Sequence, residues 1–81
     1  MRLDELPRGT PATIDRIDWE QLPAHEARRM RELGFDEGVS VAKLHAAPLG
    51  ADPIAVRVGR MTIALRRAQA ARVSVTTGGA A

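Results

Sequence analysis

The sequence predicts a mainly β domain: a small, partly open barrel of about five short strands, with one α-helix between the first two. Three observations carry this reading. Residues 28–41, RRMRELGFDEGVSV, have the pattern of a helix end, an abrupt stop, a tight turn and the start of a strand. Residues 54–65 alternate apolar and other side chains on both sides of a two-residue loop, the pattern of a hairpin. The chain has only 81 residues, of which 44% are hydrophobic. So short a chain buries roughly 60–65% of its unfolded surface, and a sheet this apolar hides its edges best by curling on itself.

The elements follow in order. Leu3 and Leu6 precede Pro7-Arg8-Gly9, a proline–glycine turn. Residues 12–18 are predicted as a strand set off from that turn by Pro11. Ile14 and Ile17 do not share parity, so either both faces are partly buried or a bulge intervenes. Residues 19–22 form a connector. Pro23 suits a first helical position, where its missing N–H is no loss, and the helix is expected over residues 23–33. Ala27, Met30 and Leu33 give it a narrow apolar stripe. Glu26 lies early and the arginines late, the order that complements the helix dipole. No Ser, Thr, Asp or Asn stands directly before Pro23, so the N-cap is weak.

Gly34 stands where the residue after a helix turns left-handed, and Phe35 is then expected to pack back on Met30. Asp36-Glu37-Gly38 supplies turn chemistry, and Val39 and Val41 begin a strand. Gly59-Arg60 forms the two-residue loop, which suits a type II′ turn and pairs Val58 with Met61, Val56 with Ile63 and Ile54 with Leu65. All six then share a face. Residues 66–71 allow a single helical turn, and Val73 and Val75 mark a last strand. Residues 1–76 are read as one domain and residues 77–81 as a disordered tail.

Composition narrows the function. There is no cysteine, which excludes disulfides and thiolate metal sites and fits a reducing cytoplasm. The first residues lack a signal-like apolar run, and no stretch approaches the roughly 20 apolar residues of a membrane span. The expectation is a cytoplasmic protein. The isoelectric point near 10.4 hints at nucleic acid, but the net charge is only +2. Every basic side chain except Lys43 is arginine, and arginine does not titrate. The charges are interleaved, with Asp15 and Asp18 around Arg16, and Glu26 and Glu32 around Arg28, Arg29 and Arg31, as on a mixed solvated surface.

The segments RLDELPRG, RRMRELGFDEGVSV, APLG (residues 47–50), DPIAVRVG and IALRRAQAARVSV, in that order, resemble the FeoA family. The resemblance covers residues 3–75. It implies an SH3-like barrel and an accessory role in bacterial ferrous iron uptake, acting by protein–protein interaction with a FeoB-type transporter and peripheral to the membrane through that partner. The same fold occurs as a C-terminal module of iron-dependent repressors, where it makes protein contacts, so an SH3-like interaction module related to that domain is an alternative reading, although this chain has no room for a helix-turn-helix of its own. Two departures stand out. Gln69 occupies a place where such sequences often carry glutamate, which puts in doubt any role needing a carboxylate there, and the Gly59-Arg60 loop is short.

The chemistry-bearing residues point away from catalysis. There is no phosphate-binding glycine loop, no H-E-x-x-H and no glycine-framed serine, so no catalytic residue, cofactor or small-molecule substrate is expected. His25 and His45 are not placed together, and Asp36, Glu37 and Asp52 lie at turns, so no metal site is expected. With only Trp19 and Phe35 as aromatics, polyproline binding and RNA stacking are disfavoured, although a small basic barrel binding RNA remains the rival class. The partner-binding candidates are Arg28 and Arg31 on the helix, Leu49 in the APLG loop, and Trp19, which is either core or a contact anchor.

Overall fold

The computed structural model describes residues 1–46 and 52–77. The APLG loop with Leu49, the side chain of His45, and residues 78–81 of the expected tail lie outside the described residues. A 3₁₀ turn at Leu3–Glu5 leads into β1 (Pro11–Ile17), and a second 3₁₀ turn (Trp19–Gln21) leads into α1 (Ala24–Glu32). Then follow β2 (Ser40–Ala46), β3 (Ile54–Val58), β4 (Met61–Leu65), the single turn α2 (Arg67–Ala70) and β5 (Val73–Thr77). The strands form one antiparallel sheet in the order β4-β3-β2-β1-β5.

Two interruptions curl this sheet. Between Ile14 and Arg16 the β1–β5 register shifts, leaving Asp15 as the extra residue, and between Lys43 and His45 the β2–β3 register shifts at Leu44. A bulge bends its strand and steepens the local twist. The first bulge resolves the parity of β1, because it lets Ile14 and Ile17 both reach the core. The β3–β4 hairpin has the register its sequence predicts: Val58 opposite Met61, Val56 opposite Ile63, Ile54 opposite Leu65. Gly59 takes a φ of 57°, the left-handed value required at the first loop position of a primed turn. On that face β3 is buried throughout, at Ile54, Val56 and Val58, whereas along the edge strand β4 burial falls off toward the loop: Leu65 is buried, Ile63 half-buried and Met61 49% exposed.

α1 differs from its predicted limits by one residue at each end. Pro23 is the N-cap, with an extended ψ of 146°, and its carbonyl accepts from the Ala27 N–H at 2.9 Å. No side chain caps the helix start, as its sequence predicts. At the other end Leu33 is the C-cap and Gly34 has a φ of 103°. The Phe35 N–H donates to the Met30 carbonyl at 3.0 Å and the Gly34 N–H to the Arg31 carbonyl at 3.1 Å. These are the paired 6→1 and 5→2 bonds of a Schellman motif. Phe35 and Met30, each 1% exposed, pack together in the core.

The N-terminal segment is part of the core. Leu3 and Leu6 are fully buried, which an i, i+3 pair in a 3₁₀ turn allows because the two side chains eclipse. Asp4 is buried beside them. Its carboxylate accepts two bonds from the Arg2 guanidinium at 3.0 Å, and its carbonyl accepts from Lys43 Nζ at 3.2 Å. In the sequence these leucines stand only as a prelude to a turn. At the far end β5 takes in Thr76 and Thr77, which pair with Thr13 and Ala12. The strand therefore runs one residue beyond the expected end of the domain at residue 76.

Gly34→Ala should cost about 1 kcal/mol or more, a fall in melting temperature of about 4–8 °C for a domain of this size. A β-carbon there would meet Val58 Cγ1 at an ordinary 3.8 Å, so the cost is conformational and not a clash. Thermal melts by circular dichroism measure it, and an unchanged melt would sink the left-handed cap.

Candidate functional site

α1 is the most heavily charged element, and its two flanks do different things. With about 100° between successive residues, Arg29 and Arg31 project from opposite flanks, while Arg28 and Glu32 lie on the outer surface between them. Met30 and Ala27 point inward and are buried.

On one flank the Arg31 guanidinium carbon lies 4.5 Å from the centroid of the Trp19 ring. Trp19 is half-buried and packs against the core, leaving a face for this contact. Two of the four residues expected to bind a partner are thus joined, since a guanidinium over an indole is attracted by the ring quadrupole. Arg28 is exposed one helical turn from Arg31. Trp19 is therefore neither fully core nor fully exposed: one side packs on the core and the other carries Arg31.

On the other flank α1 faces the end of the hairpin across a cleft of about 200 Å³. Met30, Leu33 and Leu65 supply apolar lining, and Arg29, Arg66 and Gln69 bring polar groups. Gln69 is the departure noted in the sequence. Its Oε1 accepts from the Arg66 N–H at 3.1 Å, closing the first turn of α2, and its Nε2 donates to Glu26 Oε1 of α1 at 3.2 Å. An amide can accept and donate at once, whereas an ionised carboxylate can only accept. Gln69 therefore ties α2 to α1 in a way a glutamate facing Glu26 could not. The missed signal was Glu26, read only as a dipole partner.

Of the two histidines, only the side chain of His25 lies within the described residues. His25 Nε2 stands 3.8 Å from Glu26 Oε2, and the His25 side chain is 84% exposed. Among the described residues no three of His, Cys, Asp and Glu converge, short of the four ligands typical of a structural zinc site. Leu49, the fourth contact candidate, lies outside the described residues. No helix in the described residues is long and apolar enough to cross a membrane.

A five-stranded antiparallel sheet bent by bulges, with one helix between its first two strands, defines a small SH3-like barrel. The chain belongs to the FeoA family: the FeoA domain matches residues 1–77. It is 35% identical over 75 residues, 93% of its own length, to an Fe(2+) transport protein A/Fe(2+) transporter FeoB fusion protein of Porphyromonas gingivalis, and spans about 8% of that relative. The FeoA of Stenotrophomonas maltophilia, crystallised with zinc and described as a unique prokaryotic SH3 domain protein, superposes with a TM-score of 0.79 at 39% identity. That match covers 94% of this chain and 89% of the other. The iron(II) transport protein A of Clostridium thermocellum gives 0.84 at 30% identity, covering 98% of this chain and 46% of that one. The family is one of ferrous iron transport.

Gln69→Glu should destabilise the domain by about 1 kcal/mol, since it removes a hydrogen bond and sets two carboxylates face to face. Denaturant melts of both proteins at neutral pH test this. A variant as stable as wild type at neutral pH would show that the Glu26 contact contributes nothing.

Proposed function

We propose that this chain is an accessory protein of ferrous iron uptake that works in the cytoplasm by docking on a FeoB-type transporter, with no catalytic step of its own. The observation that carries the reading is the relative in which a FeoA segment, 35% identical to this chain, is continuous with a FeoB transporter. Fusion holds two partners at high effective concentration, a natural arrangement for proteins that act together. The Stenotrophomonas maltophilia relative, considered as a ferrous iron transport activating factor, supports the same role. The docking surface is the flank of α1 bearing Arg28 and Arg31 over Trp19, with Leu49 as a further contact. RNA binding is the weaker reading, because Arg31 already occupies a face of the Trp19 ring that a base would need for stacking.

Arg28→Glu, Arg31→Glu and Leu49→Asp should leave the barrel folded and reduce both transporter association and ferrous uptake. Arg28→Glu should change stability by no more than about 0.5 kcal/mol, and Arg31→Glu by a further 0.5–1 kcal/mol or so from the lost indole contact. Circular dichroism, pull-down on the transporter and cellular iron uptake give the three readouts. Folded variants with full association and uptake would remove this surface from consideration.

Titration calorimetry with ferrous iron under anaerobic conditions should give no stoichiometric site tighter than micromolar. A tight one-to-one site lost on replacing His25 or His45 would overturn the interaction-only role.

A further inference from the structure

The two edges of the sheet are treated differently. The outer edge of β5 is occupied: Arg2 forms a β-bridge with Ser74, and the Val75 N–H donates to the Met1 carbonyl at 2.7 Å. The outer edge of β4 has no such cover among the described residues. The directions of its backbone groups follow from the register. In β3 the Gly59 N–H points to β2, donating to the Ser40 carbonyl at 3.0 Å. By alternation Arg57 and Ala55 also face β2, and Val58, Val56 and Ile54 face β4. Their partners Met61, Ile63 and Leu65 therefore spend their N–H and C=O groups on β3, leaving those of Thr62 and Ala64 directed outward.

Within the described residues this edge carries little of the usual protection. β4 has no proline, no lysine, no bulge and no charge within Met61–Leu65, and an unprotected edge is a template for another strand. It also borders the cleft beside α1, whose lining includes Ala64 and Leu65. That lining is apolar at Met30, Leu33 and Leu65, holds no carboxylate, and carries Arg29 and Arg66, neither of which forms an ion pair among the described residues. Arg60 stands at the loop end of the same edge, also without an ion pair there.

We propose that the free edge of β4 takes up an extended acidic segment of the protein partner as a sixth strand, and that the alternate side chains on its cleft side include both apolar ones, which enter beside Met30, Leu33 and Leu65, and carboxylates, which meet Arg29 and Arg66. Main-chain hydrogen bonds to Thr62 and Ala64 supply affinity, and the arginines select an anionic strand over a neutral or basic one. This second contact lies on the opposite flank of α1 from Trp19 and Arg31. It rests on the reading of the chain as a transporter-docking protein.

The test uses the full chain and the purified FeoB-type transporter in detergent, with binding read by titration and backbone exposure by amide hydrogen exchange. Ala64→Pro removes one outward N–H and no ladder bond, so it should fold yet bind about tenfold more weakly. Arg29→Glu with Arg66→Glu should bind more weakly still, and wild-type binding should fall as salt rises. Bound transporter should protect the Thr62 and Ala64 amides from exchange. Ile63→Pro, which breaks the ladder to Val56, should destabilise the domain, confirming the orientation. If wild type binds and both folded variants bind equally well, the edge is not the contact although the docking role stands. If wild type does not bind, the docking role and this inference fail together. An Ala64→Pro chain that does not fold overturns the assigned backbone directions. Concentration-dependent protection of the same amides in the chain alone would give the edge to a second copy and overturn the acidic partner.

Discussion

The left-handed residue at Gly34 is the constraint on which most of this architecture depends. It ends α1, and the two hydrogen bonds it permits reverse the chain within two residues. The reversal sets Phe35 under the helix against Met30, and Phe35 is the largest fully buried side chain of the domain. From there Gly38 donates to the Ile14 carbonyl at 2.8 Å and β2 begins beside β1. A helix one turn longer would carry Phe35 away from the core and delay the pairing of the first two strands. In a domain whose core is a single shared cluster, no second layer could absorb that loss.

Much of this was legible in the sequence because it is local. The C-cap and the β3–β4 register rest on contacts within a few residues, where glycine placement and apolar alternation are decisive. The bulge in β1 was half-legible: Ile14 and Ile17 differ in parity, and the β5 register decides that an extra residue reconciles them. The role of Leu3 and Leu6 was not legible. Their burial depends on β5 and on Lys43, which lie far along the chain, and an i, i+3 pair beside a turn carries no strong periodic signal.

The candidate site was legible in its residue types and not in its pairings. Arg31 and Trp19 were each singled out, but their contact depends on how the 3₁₀ turn at Trp19–Gln21 lays the indole along α1. Gln69 was noticed for what it lacks, and the structure gives it a positive role as the one group that can satisfy both Arg66 and Glu26. Arg29 is indistinguishable from its neighbours in the sequence, yet its flank looks onto the cleft lined by Met30, Leu33 and Leu65. Charge counts alone could not separate these faces, since they differ only by rotation about one helix axis.

The pairing of β1 with β5 has a consequence for how the fold is reached. Ala12 lies opposite Thr77, a closure across about 65 residues that costs more chain entropy than any hairpin in the sheet. The β3–β4 hairpin closes over two residues and can form early, on a timescale of roughly microseconds. The long closure must wait until the intervening strands are in place. β5 and the N-terminal turn that covers its edge therefore lock late. Until they do, β1 is itself an uncovered edge, with Ile14 and Ile17 in view of any neighbouring chain, so the crowded interval before that final seam closes is when this small domain is most exposed to mispairing.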